Sequence, residues 1–128
     1  MAPRILVIED DDALRIEITD YLQRRRNHVR VAATLAEASQ ALSQEQPDIV
    51  ISDINLPDGD GAVFCMANAG KHAGTTWLLM SGHSDLVQQS RQLKRDPDAP
   101  PFSVLNKPVP LRVLDDFVRL AMAQKQVA

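Results

Sequence analysis

Five side chains of this sequence carry groups that could act together in chemistry, and each follows a short apolar run. They are Glu9, Asp10, Asp53, Ser81 and Lys107. Three carboxylates held close together repel one another unless a cation is present, and Mg²⁺ prefers carboxylate oxygens together with water and phosphate oxygens. An amine and a hydroxyl beside such an ion supply a positive charge and a hydrogen-bond donor for an anion. If the fold brings the five together, they predict Mg²⁺-assisted phosphoryl transfer to the Asp53 carboxylate.

The position of Asp53 is set by the segment that precedes it. Ile49–Ser52 is an apolar, β-branched run bounded by turn residues, which is typical of a buried strand. We therefore expect Asp53 at the carboxyl end of a central strand, the edge at which open α/β sheets bind ligands. An aspartate at such a junction is also a common turn former. The residues at the other strand ends therefore decide whether Asp53 is a turn residue or a chemically active carboxylate.

The remaining segments alternate between strand and helix patterns. Strands are predicted at 4–8, 28–32, 49–52, 75–80 and 102–105. One helix begins after Asp11 or Asp12, a second after Thr34, and three more are predicted at 62–69, 85–94 and 110–124. Five strands alternating with five helices imply an α/β fold, a doubly wound parallel sheet with helices on both faces.

Composition and charge narrow the class of protein. The 128 residues suit one domain, 1–128, and a hydrophobic share of 45% is that of a folded globule. A formal net charge of −3 with one basic cluster, Arg24–Arg26, argues against direct binding to nucleic acid. No apolar stretch is long enough to span a bilayer, and the first residues lack the pattern of a signal peptide. The single cysteine, Cys65, excludes an intramolecular disulfide and is predicted in the core, so we expect a cytoplasmic protein. We expect no membrane partner.

The order of these groups along the chain resembles the receiver domain of bacterial response regulators, over essentially the whole length. The matching segments are ILVIEDD, DIVISDINLPDGDG, LLMSGHS and LNKPV. The resemblance implies a flavodoxin-like, chemotaxis-regulator-like sheet with strand order 2-1-3-4-5. It also implies a phosphoprotein of two-component signal transduction and not an enzyme, since receivers assist only their own phosphorylation and dephosphorylation.

The resemblance further implies a role for each residue of the acidic half of the site. Asp53 would be the phosphoacceptor and a metal ligand, Asp10 would bind Mg²⁺ directly, and Glu9 would reach it through water. The backbone carbonyl of Asn55 would be a further protein ligand. Asn55 and His83 stand at positions that tune the lifetime of the phosphoryl group, and for His83 this is a hypothesis set against an ordinary exposed loop histidine.

Other residues would bind the phosphoryl group or respond to it. Ser81, followed by Gly82, would be the switch hydroxyl that moves to the phosphoryl group, Lys107 would form an ion pair with it, and Pro108 would follow a cis peptide bond. Phosphorylation adds about −1.5 to −2 charges and would shift the domain between two existing conformations. The implied partners are a sensor histidine kinase or phosphotransfer protein, which supplies a phosphohistidine, and a downstream effector protein or domain.

Two segments depart from the pattern of this family. Val104 stands where many receivers have a tyrosine or phenylalanine whose rotation reports activation, although Phe102 is nearby. A proline-rich loop at 95–101 replaces the short turn that most receivers have before the last strand, and prolines rigidify such loops. We therefore expect an altered surface around the fourth helix, fifth strand and fifth helix, without assuming the usual dimer.

Two other kinds of site would require residue types that the segment after Asp53 lacks. A phosphatase of the haloacid-dehalogenase type would need a second aspartate where Asn55 stands, and a calcium loop beginning at Asp53 would need an oxygen ligand and a glycine where Pro57 and Asp58 stand. A degenerate receiver, acting as a phosphorylation-independent docking module, stays open as the alternative. The sequence is compatible with a single-domain regulator and with a receiver excised from a longer regulator or hybrid kinase.

Overall fold

The computed structural model describes residues 2–82 and 101–127. The strands are β1 (Arg4–Ile8), β2 (His28–Ala32), β3 (Ile49–Asp53), β4 (Asn55–Leu56), β5 (Gly59–Asp60), β6 (Thr76–Ser81) and β7 (Phe102–Asn106). The helices are α1 (Asp12–Arg24), α2 (Leu35–Gln44), α3 (Gly61–Asn68) and α4 (Leu111–Val127). The helix predicted at 85–94, His83 and all but the last residue of the 95–101 loop lie outside the described residues.

The five long strands form one parallel sheet in the order β2-β1-β3-β6-β7. Since β6 and β7 are the fourth and fifth long strands of the chain, this is the predicted order 2-1-3-4-5, and the α/β fold class is confirmed. All carboxyl ends of the strands therefore lie at one edge, which is the condition for the predicted site.

Helices pack against both faces of the sheet and bury almost all of its central strands. β3 is buried at every position, and the last four residues of β1 are buried as well, as expected for parallel strands covered on two sides. Residues from alternate positions of β1 and β3 join α1 and α4 on one face and α2 and α3 on the other. Each fully buried aliphatic or aromatic side chain contributes about 1.5–3 kcal/mol, so these two layers fix the sheet edge that carries the site.

Side-chain caps set where the first two helices begin. Asp11, and not Asp12, caps α1 by accepting a hydrogen bond from the Leu14 N–H over 3.0 Å. Thr34 caps α2 as predicted, accepting from the Glu37 N–H over 3.1 Å. Each cap satisfies a backbone N–H that has no partner inside its helix.

A small antiparallel hairpin follows Asp53, where only a loop was predicted. β4 and β5 pair Asn55 with Asp60 and Leu56 with Gly59, and the turn lies between them. We call residues 55–60 the site hairpin. Its strands have two residues each, too few for the alternation of apolar and polar residues that reveals a strand in a sequence.

A glycine closes the site hairpin against the end of β3. The Gly61 N–H donates to the Ile54 carbonyl over 2.7 Å. A Cβ at residue 61 would lie 2.3 Å from the backbone oxygen of Asp53. Glycine is therefore required at this close approach of two chain segments.

Candidate functional site

The predicted acidic residues meet at the carboxyl edge of the sheet. Glu9 and Asp10 follow β1, and Asp53 is the last residue of β3. Each offers a carboxylate oxygen, and these three oxygens all lie within 4.8 Å of one another. Among residues 2–82 and 101–127, this is the only group of three acidic, histidine or cysteine side chains close enough to share an ion.

Lys107 bridges the two buried carboxylates of this group. Its Nζ donates to Glu9 Oε1 over 2.9 Å and to Asp53 Oδ2 over 3.0 Å. The three residues are 98 and 54 positions apart along the chain, so only the parallel sheet brings them together. Burial lowers the pKa of Lys107, but the hydrogen bonds and charges of Glu9 and Asp53 outweigh it and hold that pKa above its ordinary value.

Glu9 is fully buried, at 0% exposure, although it carries a carboxylate. Burial raises its pKa above the ordinary value, and the nearby Asp53 charge acts in the same direction. The hydrogen bonds from Lys107 and from the Asp11 N–H, which lies 3.2 Å from Glu9 Oε2, oppose this shift. The buried carboxylate is thus held by an ammonium on one oxygen and a backbone N–H on the other.

Asp53 and Asp10 differ in their access to solvent. Asp53 is 6% exposed, and its Oδ1 accepts from the Asn55 N–H over 3.3 Å. Asp10 is exposed. A ligand that arrives from solvent would therefore meet Asp10 at the mouth of the site and Asp53 below it.

Ser81 ends β6 beside Lys107. It is fully buried, and its carbonyl accepts from the Lys107 N–H over 2.7 Å. Gly82 follows and is exposed, while His83 lies outside the described residues. The peptide bond between Lys107 and Pro108 is cis.

Backbone hydrogen bonds continue across the sheet beyond the paired strand residues. The Glu9 N–H donates to the Ala32 carbonyl over 3.0 Å, and the Ile54 N–H donates to the Met80 carbonyl over 3.0 Å. The residues at the site edge are therefore held by the main chain of neighbouring strands as well as by their side chains.

One cation near the site was not predicted from the sequence. Arg15 of α1 donates from Nη1 to the Glu9 carbonyl over 2.9 Å and from Nη2 to Asp12 Oδ1 over 2.5 Å. The guanidinium thus spans the acidic turn from Glu9 to Asp12. The spacing of Asp12 and Arg15, three residues apart on a helix, was the signal that could have indicated the second contact.

The donor set fits a hard divalent cation. All of its ligands are oxygens, and three carboxylates outnumber the single ammonium that neutralises them. Mg²⁺ prefers such oxygen ligands, whereas softer metals prefer sulfur or imidazole. No sulfur or imidazole belongs to this group within the described residues.

Val104, at the position where many receivers have an aromatic residue, is part of the hydrophobic core. Val104 is buried in β7 and packs with Ile54 and Leu79. Phe102 is partly buried and pairs in register with Trp77 of β6. Phe102 packs against the same cluster from the start of β7, away from the carboxyl edge.

None of the helices within residues 2–82 and 101–127 combines the length and the apolar character needed to cross a bilayer.

Comparison with known proteins identifies the family. The profile of the response regulator receiver domain matches residues 5–119. The transcriptional regulatory protein AfsQ1 of Streptomyces coelicolor is 29% identical over 120 residues, which cover 94% of this chain and 51% of AfsQ1. The sensor kinase CckA of Brucella abortus is 31% identical over 124 residues, which cover 95% of this chain and 13% of CckA. The chain thus spans about half of one relative and a small part of the other.

Solved structures agree with the fold. A response regulator receiver domain protein from Clostridium thermocellum superposes with a TM-score of 0.84 at 23% identity, covering 99% of this chain and 98% of that one. At 23% identity this structural likeness shows the fold alone. The family follows from the match of the receiver-domain profile to residues 5–119. The chain belongs to the response regulator receiver domain family, the receivers of two-component signalling.

Proposed function

We propose that Asp53 accepts a phosphoryl group in a Mg²⁺-dependent reaction, and that the phosphorylated domain signals by a change of conformation. The observation that carries this proposal is the bridge from Lys107 to Glu9 and Asp53, with Asp10 at the same edge. A nucleophilic carboxylate, acidic metal ligands and a fixed ammonium are the parts that phosphoryl transfer to an aspartate requires.

In the proposed reaction, an oxygen of the Asp53 carboxylate attacks the phosphorus of a phosphohistidine. The P–O bond of an acyl phosphate forms, the P–N bond breaks, and its electron pair returns to the imidazole nitrogen. Lys107, which is protonated because two carboxylates hold its pKa high, would transfer a hydrogen bond from the carboxylates to a phosphoryl oxygen. Ser81 and Gly82 lie at the end of the adjacent strand. The Ser81 hydroxyl and the Gly82 backbone would bind a second phosphoryl oxygen.

The carboxylates of Glu9, Asp10 and Asp53 and the backbone carbonyl of Asn55 would hold Mg²⁺. When bound, the ion neutralises charge on the phosphoryl oxygens. Glu9 would act through a water molecule, in keeping with its burial and its bond to Lys107. The ordinary role of a receiver is signalling, so we propose no turnover beyond the domain's own phosphorylation and dephosphorylation.

The lifetime of the phosphoryl group is proposed to depend on Asn55 and His83. Asn55 is bonded through its N–H to Asp53, and His83 follows Ser81 and Gly82 in the chain. Comparing aspartyl-phosphate half-lives in wild type and His83→Ala tests the role of His83. Equal half-lives would show that His83 does not affect the lifetime of the phosphoryl group.

The proposed partners follow from the chemistry. A sensor histidine kinase or a phosphotransfer protein would donate the phosphoryl group, and an effector protein or domain would bind the phosphorylated form, without direct contact to nucleic acid or membrane. One relative is named a transcriptional regulatory protein and another a sensor kinase. These names support the proposal of an effector and of a kinase as partners. We propose a cytoplasmic location and a single receiver domain over 1–128.

Intact mass after incubation with acetyl phosphate tests the proposal. We expect wild type to gain one phosphoryl group only with Mg²⁺, and Asp53→Asn to gain none. If wild type binds Mg²⁺ but gains no phosphoryl group, phosphorylation of Asp53 depends strictly on the cognate kinase. If it neither gains a phosphoryl group nor binds Mg²⁺, the phosphorylation-independent docking module is correct instead.

A further inference from the structure

The tip of the site hairpin is fastened to a helix that has no other part in the site. Asp58 lies in the turn between β4 and β5. Its Oδ1 accepts from the Leu35 N–H over 2.9 Å and its Oδ2 accepts from the Ala36 N–H over 3.0 Å. Both donors are N–H groups in the first turn of α2, which have no partner within the helix, so one carboxylate joins the hairpin to the helix through both of its oxygens.

This contact is more than the cap of α2, because the residue just before the helix, Thr34, already caps it. Thr34 accepts from the Glu37 N–H. The two backbone N–H groups lower the pKa of Asp58, and the positive end of a helix favours a negative charge beside it. Asp58 is therefore ionised at neutral pH and bound to α2 from a distant part of the chain.

The base of the hairpin is held separately. Asn55 pairs with Asp60, and Asp60 caps α3 by accepting from the Ala62 and Val63 N–H groups over 2.7 and 3.2 Å. An isolated pair of two-residue strands is not stable by itself. The direction of the Asn55 backbone therefore depends on both ends of the hairpin, its base at α3 and its tip at α2.

We propose that Asp58 is a positioning residue for the metal site. By fastening the hairpin tip to α2, it fixes the direction of the Asn55 carbonyl, which is the one backbone ligand of the proposed Mg²⁺ site. The inference rests on the proposed function. Asp58 itself touches neither the ion nor the phosphoryl group, and it acts through the hairpin as outer partners of metal ligands do in general.

The test compares Mg²⁺ affinity in Asp58→Ala with that in Thr34→Ala. Both variants remove a hydrogen-bond acceptor from the start of α2, but only the first releases the hairpin. Titration with MgCl₂, followed by the amide signals of Asn55 and its neighbours in ¹H–¹⁵N NMR spectra, measures affinity and confirms folding in one experiment. We expect the Kd for Mg²⁺ to rise about tenfold in Asp58→Ala and to stay at the wild-type value in Thr34→Ala, although both lower the Tm.

Asp58→Asn refines the comparison, because it keeps one acceptor oxygen and removes the charge. Its Kd is expected between those of wild type and Asp58→Ala. Equal affinities in wild type and Asp58→Ala would overturn this inference alone, and so would an equal weakening in Asp58→Ala and Thr34→Ala. A wild type that does not bind Mg²⁺ would overturn the proposed function and this inference with it.

Discussion

The backbone N–H of Lys107 donates to the carbonyl of Ser81 over 2.7 Å, so β6 and β7 are joined at the two residues proposed to contact the phosphoryl group. A movement of Ser81 toward a ligand would therefore act on the main chain of Lys107 as well. The ammonium of the same lysine holds Glu9 and Asp53. The proposed switch and the proposed ion pair are thus linked through one residue.

Removing the ammonium leaves two buried carboxylates without a cation. We expect Lys107→Met to lower the free energy of unfolding by about 3 kcal/mol at neutral pH, since Glu9 is fully buried and Asp53 nearly so. MgCl₂ should restore part of the loss, because the ion supplies the missing positive charge. Urea unfolding with and without MgCl₂ measures both effects.

Lys71→Met is the matched control for that change, since Lys71 is exposed and removal of an exposed charge has little effect. An equal loss of stability in the two variants would show that the Lys107 ammonium contributes nothing specific. A loss in Lys107→Met that MgCl₂ does not alter would argue against metal binding at these carboxylates.

Gly61→Ala should damage the fold and the site together. The new Cβ would lie 2.3 Å from the Asp53 oxygen, so the end of β3 must shift, at a cost of about 3 kcal/mol. Gly70→Ala is the control, because nothing lies within 4 Å of a Cβ there. Thermal unfolding and phosphoryl gain from acetyl phosphate are the measurements, and similar behaviour of the two variants would contradict the close approach.

The thiol of Cys65 should be unreactive over the ordinary pH range. Burial raises its pKa to about 12, and only the thiolate reacts with disulfide reagents. Because the folded pKa is raised, the thiolate fraction at pH 8 is lower than in the unfolded chain, and the rate with Ellman's reagent should climb only toward pH 12. Rapid modification of the native protein at pH 8, compared with the urea-unfolded chain, would show that Cys65 is accessible.

Trp77 is expected to tolerate loss of its indole nitrogen. Its Nε1 is buried and has no hydrogen-bond partner within residues 2–82 and 101–127, and an unpaired buried donor costs about 1–3 kcal/mol. Trp77→Phe removes that cost while it leaves a small cavity, so we expect a change in unfolding free energy within about 1.5 kcal/mol. A loss above about 3 kcal/mol in urea unfolding would mean that the indole N–H does have an acceptor.

The sheet was predictable because its strands are short β-branched runs that end in turn residues. The strand at 28–32 was predicted with the bounds of β2, and the strand at 102–105 ends one residue later in the structure. Alternation of strands and helices allows several strand orders, and the observed order followed from the resemblance to receiver domains and not from periodicity. Adjacent carboxyl ends are then a necessary result of parallel pairing.

The contacts that orient the site were not predictable in the same way. Asp58 meets α2 across more than twenty residues of sequence, and Arg15 reaches the backbone of Glu9 from the next helix. Neither contact has a characteristic spacing, because each depends on how separate elements pack. The site hairpin could not be predicted either, because strands of two residues are too short to show an alternation of apolar and polar residues.

The main-chain hydrogen bonds of Glu9, Ile54 and Lys107 to neighbouring strands have a thermodynamic consequence. We expect these amides to open in the same cooperative unit as the central sheet, so their hydrogen exchange should require opening of the sheet and not of a loop. Any ligand that binds only this intact edge therefore stabilises the whole domain by mass action. Binding at this edge and unfolding of the domain are therefore linked equilibria, so ligand occupancy should be measurable as a gain in the free energy of unfolding.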